Sequence, residues 1–186
     1  SRRNSPFANS GMVVEIRPED IGEYQNHGVM GGLEYQKELE RLAYINGGSG
    51  IVAPAQGLAD FVNGRLSFDL PESSYVPGTL SSPMHFWLPD HIGQRLRKGF
   101  EQFGKQARGF ISNEAMILGV ESRTSSPVRI PRKADTLQHT CIDGLFPCGE
   151  GAGYAGGIAS SAIDGERCAE KTWEFIHHKN LEKKEI

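Results

Sequence analysis

The run Asp143–Ala162, DGLFPCGEGAGYAGGIASSA, constrains this chain more than any other stretch. Five residues, Gly144–Cys148, lead into a glycine-rich turn that carries one carboxylate, Glu150, at the bend. Small residues then open a helix predicted to continue almost to the C-terminus. A strand, a tight turn and a helix start in that order direct bare backbone N–H groups and the positive end of a helix dipole at one place. Such a place suits a phosphate, a flavin carbonyl or a polyol close to the main chain. We read it as one half of a dinucleotide site.

Gly151, Gly153 and Gly156 formally satisfy G-x-G-x-x-G. The fingerprint of that name also requires a second strand after the helix and an acidic residue about 20 positions on to hold a ribose. Here the helix is expected to run out through Lys171–Lys179, with the sequence given ending at Ile186, so no βαβ unit is completed after it. The spacing is therefore not read as the adenine-side turn.

A chain of 186 residues suffices for one compact domain, or a small domain with part of another. Acids and bases are mixed, for a net charge of −3. No basic block supports binding to nucleic acid or an anionic membrane, because Lys179–Lys184 is short and interrupted by a glutamate. No apolar run reaches the roughly 18–20 residues of a membrane span. Cys141, Cys148 and Cys168 form neither an even set nor a C-x-x-C pair, which points to a reducing cytoplasm. The six histidines are scattered, and no metal site is expected.

Periodicity assigns the remaining elements. Gly11–Arg17 reads as a strand ended by Pro18, and Gly22–Gly32 as a loop. Leu33–Tyr44 is a predicted helix with Tyr35, Leu39, Leu42 and Ala43 on one face, stopped by Asn46–Gly50. A shorter helix is expected over Pro54–Phe61, closed by Asn63–Gly64, and Leu66–Pro83 is expected to be mostly irregular. Pro89–Asp90 starts the most amphipathic segment, with Ile92, Leu96, Phe100, Phe103 and Ala107 on one face. Strands are expected at Ala115–Arg123, Val128–Pro131 and Gly144–Cys148. The final helix is expected to bury Ile158, Ala162, Ala169, Trp173 and Ile176. The fold class is thus an α/β (α+β) mixture: a helical and sheet module over residues 1–108, then residues 109–186 returning to a nucleotide-binding sheet.

Two segments carry a family likeness. GLFPCGEGAGYAGGIASSAIDG (from Gly144) resembles the last FAD-contacting segment of flavoproteins with two dinucleotide-binding domains, and GVESRTSSPVRIPR (from Gly119) sharpens the likeness. Within that superfamily they resemble a bacterial group of uncharacterised FAD-dependent dehydrogenases, and the likeness extends more loosely to RNSPFANSGMVVEI near the start. The resemblance implies a Rossmann-like FAD domain with an inserted substrate domain, an oxidoreductase activity, and NAD(P)H as the electron donor. It implies cofactor contacts from Gly149, Glu150, Gly151, Ala152, Gly153, Tyr154, Gly156, Gly157 and Ile158, with Arg123 and Ser125 upstream. Such proteins begin with a strand–GxGxxG–helix unit that nothing before Asp143 supplies. The chain is therefore expected to be the C-terminal part of a longer protein, with the remainder of that polypeptide and a small-molecule substrate as its partners. This part alone is not expected to hold FAD stably or to be active.

Each candidate residue has a plainer role beside the functional one. Glu150 either accepts from ribityl hydroxyls or caps the helix N-terminus. The glycines either admit a ring against the backbone or form a tight turn. Arg123, Ser125, Ser126 and Arg129 either meet an anionic group or sit at a sheet edge in solvent. Tyr154 covers the ring or packs beneath it. His85, Phe86 and Trp87 line a pocket or form a satellite core, and Cys148 has a redox role or, as read here, is a buried strand thiol. Two other functions are carried: a flavin-dependent tRNA-modifying protein, and a non-catalytic module whose glycine turn binds an anion. Hydrolase chemistry has no support, because no Ser–His–Asp or paired-carboxylate arrangement occurs.

Overall fold

The computed structural model describes residues 4–182. Their elements are a 3-10 segment Pro18–Met30, helix α1 Gly31–Asn46, strand β1 Ala53–Gly57, helix α2 Leu58–Asn63, strand β2 Thr79–Ser81, helix α3 Met84–Trp87, helix α4 Asp90–Gln106, strand β3 Met116–Leu118 and helix α5 Ile158–Glu182. This is a mixed α and β architecture. The contacts divide it into two units. One takes Glu34–Ser122 with the described residues before Asn26; the other takes Asn26–Leu33 and the chain from Arg123 onward.

The first unit is built on a mixed sheet in the order β2-β1-β3. β1 pairs parallel with β2, Ala53 opposite Thr79, and antiparallel with β3, Ala55 opposite Leu118. Pro54 lies in this central strand despite having no N–H to give; its carbonyl accepts from Gly119 at 3.1 Å. Gln56 is fully buried, and its amide is satisfied by the Arg65 carbonyl and by His85 Nδ1 at 2.7 Å. Leu58 and Phe61 of α2, Met84 of α3, Leu88 just after α3 and Phe100 of α4 form the core, with the Phe61 and Phe100 rings edge to face at 6.0 Å. A second cluster joins Tyr35 and Leu39 to Ile92, and Tyr35 Oη lies 2.9 Å from His91 Nε2. Burial around that hydroxyl pushes the Tyr35 pKa up to about 12.

Several expectations need correction. Gly11–Arg17 is not a strand: it pairs with no ladder, and Pro18 opens a 3-10 segment where a loop was expected. The Pro54–Phe61 helix begins only at Leu58, because Ala53–Gly57 joins the sheet; Gly64, at φ 65°, does close it. Of Ala115–Arg123 only Met116–Leu118 pairs, and neither Val128–Pro131 nor Gly144–Cys148 forms a strand. The chain there makes single backbone hydrogen bonds, Ile130 N–H to the Ala152 carbonyl and His139 N–H to the Leu145 carbonyl, and not a ladder. Among the described residues the only bridge in that region joins Arg132 to His139, and Cys148 is exposed rather than a buried strand thiol. The helices α1 and α4 match their expected positions, although Phe103 and Ala107 at the far end of the α4 face are exposed.

The face of α5 is reversed from expectation. Asp164 and Cys168 are buried, whereas Ile158 (94%), Trp173 (62%) and Ile176 (50%) are exposed, as are Ala162 and Ala169. The cause is an ion pair, described next, that draws the polar side of the helix inward.

Candidate glycine bend and helix start

Arg132 organises the second unit. Its guanidinium donates to both Asp164 oxygens, at 2.6 and 3.0 Å, and to the Pro147 carbonyl at 2.7 Å. It also stacks over the Tyr154 ring, 3.6 Å from the centroid, while Arg129 lies 4.3 Å from the same centroid. Asp164 Oδ2 accepts in addition from the Gly149 N–H at 2.9 Å. One salt bridge thus fastens helix α5 to both ends of the turn residues Pro147–Gly149. The Arg132 contact is the main cause holding the Asp164 carboxyl below its ordinary range, opposed by burial and helped by the Gly149 amide.

The bend itself closes by local bonds. The Gly153 N–H donates to the Glu150 carbonyl (2.9 Å), and the Tyr154 N–H to the Gly149 carbonyl (3.0 Å). Gly149 and Gly153 adopt φ of 72° and 81°, which L-residues with side chains rarely take. Gly153 is also pressed against its neighbours: a Cβ there would stand 2.8 Å from the Val128 carbonyl oxygen. Ser126 Oγ reaches the Gly151 carbonyl at 3.3 Å, and Ile130 N–H the Ala152 carbonyl at 3.2 Å, so the upstream loop supports the bend from below. Tyr154 is part of that support, with its hydroxyl donating to the Ile130 carbonyl at 2.9 Å.

The opposite side is open. Glu150 and Gly151 are exposed, and a Cβ added at Gly149 or Gly151 would meet nothing within 4 Å. Gly156, Gly157, Ile158, Ala159 and Ser160 are exposed as well. The Ser161 N–H makes the bond to the Gly157 carbonyl that starts the helix ladder, so the amides of Ile158, Ala159 and Ser160 precede it. Arg123 and Ser125 are exposed in the upstream loop. The contrast with Gly57, at the head of α2, is direct: there Ser67 Oγ takes the Gly57 N–H at 2.9 Å and Asn113 Oδ1 the Asp60 N–H at 3.1 Å, filling the turn with the protein's own side chains.

The structure therefore brings Gly149 to Ile158 into one bend, of which Glu150, Gly151, Gly156, Gly157 and Ile158 are exposed, whereas Gly149, Gly153 and Tyr154 are half-buried and Ala152 is buried away from the open side. It places Ser126, Arg129 and Tyr154 under that bend as braces. The residues that sequence reasoning missed are Arg132 and Asp164; the available signal was an aspartate four residues before Cys168, in register with the buried side of α5. Among the described residues no group of three or more His, Cys, Asp or Glu could hold a metal ion. The first unit separately contains a cleft of about 430 Å³ lined by Met12, Val14, Leu96 and Phe103, with Arg17 and Arg95 at its edge paired to Glu15 and Asp20.

In this mixed α/β chain the glycine bend leads directly into the 25-residue helix α5. Over residues 1–124 the chain matches the family described as FAD-dependent protein, C-terminal domain-like, and it belongs to that family. It is 40% identical over 170 residues to a Clostridium beijerinckii protein described as uncharacterised, an alignment that takes in 90% of this chain and 31% of the relative. The chain thus spans about a third of that relative's length. No helix among the described residues is long and apolar enough to cross a membrane.

The family match ends before the bend, so the bend must be tested against FAD on its own geometry. It fits part of such a group. The open face above Gly149 and Gly151 leaves room for a ring or chain against the backbone, Glu150 offers a hydrogen-bond acceptor to hydroxyls, and the α5 amides offer donors.

Proposed function

We propose that this chain is the C-terminal part of an FAD-dependent oxidoreductase, a dehydrogenase of the superfamily with two dinucleotide-binding domains. The observation that carries the reading is the bend from Gly149 to Ile158, exposed at Glu150, Gly151, Gly156, Gly157 and Ile158 and braced by Arg132 and Asp164, in a member of an FAD-dependent family. FAD, when bound, supplies hydride or electron transfer. The chain's own part is to hold and orient it. Glu150 accepts from ribityl hydroxyls, and Gly151 lets the cofactor lie against the main chain. The N–H groups of Gly157 and Ile158 would donate to the ring, and the positive end of α5 would favour added negative charge there. Arg123 and Ser125 meet the cofactor's phosphates or an anionic substrate. Residues 1–108 form the substrate-side module and residues 109–186 the returning cofactor segment. A nicotinamide donor, NADH or NADPH, and a reducing cytoplasmic setting belong to the same reading.

The test uses the longer polypeptide that carries this chain. Purified and supplied with FAD, it is expected to retain visible flavin absorbance and to lose that absorbance anaerobically on addition of NADH or NADPH. Glu150→Ala is expected to weaken flavin retention at least tenfold, since a hydrogen bond to a charged group is worth about 1.5–3 kcal/mol. A colourless protein after FAD addition refutes the flavin reading; a yellow protein that neither nicotinamide bleaches refutes the donor.

A further inference from the structure

Helix α5 carries its apolar stripe on the outside. Ile158, Ala162, Gly165, Ala169, Trp173 and Ile176 fall on one side of the helix at the 3.6-residue period, and no charged residue interrupts them. Ile158, Trp173 and Ile176 are large and exposed at 94%, 62% and 50%. Gly165 lies midway along the stripe, in the helix interior, where glycine is the least favourable ordinary residue. Nothing in the chain requires it: its backbone is helical, and an added Cβ would meet no atom within 4 Å. A helix-interior glycine with free space above it lets another backbone come close at that point. Flanked by Ala162 and Ala169, it forms a shallow saddle between the bulky Ile158 and Trp173 ends.

We propose that this stripe is the seat of the remainder of the chain's own polypeptide, an apolar element that crosses α5 at Gly165 and covers Trp173 and Ile176. The occupant follows from length. The related Clostridium beijerinckii protein aligns with 90% of this chain yet devotes only 31% of its own length to the alignment, so more than twice as much chain is tethered to the shared part. A tethered segment meets the stripe at high effective concentration without paying the full cost of bimolecular association. A second copy pays that cost and is the competing occupant. The bend and the stripe share one helix, so the covering element also ends beside Ile158, next to the proposed cofactor face. The inference itself depends on the stripe and not on the flavin reading.

The experiment compares the longer polypeptide with the 186-residue chain, both carrying Trp87→Phe, and the longer one with every tryptophan outside these 186 residues also replaced by phenylalanine, so that Trp173 is the sole indole of each. Acrylamide quenching of Trp173 is expected to fall several-fold in the longer polypeptide, with a blue-shifted emission, while the 186-residue chain sediments as a monomer with a readily quenched indole. Gly165→Leu and, as a milder change, Ala169→Glu are expected to restore quenching in the longer polypeptide while leaving the far-ultraviolet helix signal of the 186-residue chain intact. Gly165→Ala is expected to raise that chain's thermal midpoint. Trp173 equally quenchable in both proteins overturns the proposal. So does a dimer of the 186-residue chain that protects Trp173, which assigns the stripe to a second copy. Loss of flavin with Trp173 still protected refutes the cofactor reading and leaves this one standing.

Discussion

Arg132 and Asp164 form a two-pronged ion pair, at 2.6 and 3.0 Å, whose side chains are only 10% and 12% exposed. Each partner carries a second duty: Arg132 holds the Pro147 carbonyl, and Asp164 the Gly149 amide. Removing the arginine leaves a carboxylate in a confined place with one amide for company. Arg132→Leu is expected to cost about 2–3 kcal/mol, between the small worth of exposed pairs and the cost of breaking deep ones. Chemical unfolding monitored by circular dichroism reads this directly. The double variant Arg132→Leu/Asp164→Leu is expected to recover part of the loss, because it leaves no unpaired charge.

The glycines of the bend separate by mechanism. Gly153→Ala combines a positive φ with a Cβ 2.8 Å from the Val128 carbonyl, and is expected to cost at least about 2 kcal/mol. Gly149→Ala meets open space, so only its φ of 72° counts, for about 1 kcal/mol. Gly151→Ala has neither penalty and is expected to change stability by less than about 0.5 kcal/mol. Thermal unfolding of the three single variants should give that order. Under the flavin proposal Gly151→Ala nonetheless weakens flavin retention in the longer polypeptide, which separates a cofactor role from a folding one.

The legible parts of this fold were those in which one residue pattern admits one partner. The spacing of Tyr35, Leu39 and Ala43 and that of Ile92 and Phe100 place α1 and α4 correctly, because each stripe faces a core inside the same unit. β1 was hidden because Pro54 argues against a central strand and Leu58 and Phe61 supply a helical apolar pair just beyond it. Gly144–Cys148 has the composition of a strand, but a strand also needs a neighbour, and no neighbour pairs with it. The bend's local chemistry was readable from Gly149, Gly153 and Glu150. Its supports were not, since a hydrogen bond between Arg132 and Asp164 spans 32 residues and leaves no periodic trace. The same pair accounts for the reversed face of α5: hydrophobicity alone turns Trp173 and Ile176 inward, whereas a satisfied ion pair turns Asp164 and Cys168 inward instead.

The three thiols are expected to react in two classes. Cys141 and Cys148 are exposed, and Cys168 is buried. Burial is the first cause raising the Cys168 pKa, which lowers the fraction of reactive thiolate. Titration with an aromatic disulfide reagent should modify two thiols quickly and the third only on unfolding. Arg132→Leu should speed the slow class, since it loosens the contact between Arg132 Nη1 and Cys168 Sγ at 3.3 Å. Equal rates for all three would contradict the described packing of α5.

Acid stability follows from two depressed carboxyls. Arg95 donates to both oxygens of Asp20 at 2.7 Å, and with the Arg17 amide at 2.9 Å holds its pKa down to about 2, from an ordinary 3.8. Asp164 is lowered too, first by Arg132. A carboxyl whose folded pKa lies below its unfolded value contributes stability that is fully present above the unfolded value. That contribution is lost as the pH falls through the folded one. Between about pH 4 and pH 2 the unfolded chain takes up protons at these positions before the folded chain does, so the midpoint of thermal unfolding should drop through that window. Asp20→Asn lacks the first contribution at every pH. Its midpoint should lie below that of the unaltered chain near neutrality, decline less steeply on acidification, and meet the unaltered curve only below about pH 2, where Asp20 is protonated in both states. Parallel curves for the two proteins across the window would show that Asp20 and Arg95 do not keep this pairing in solution.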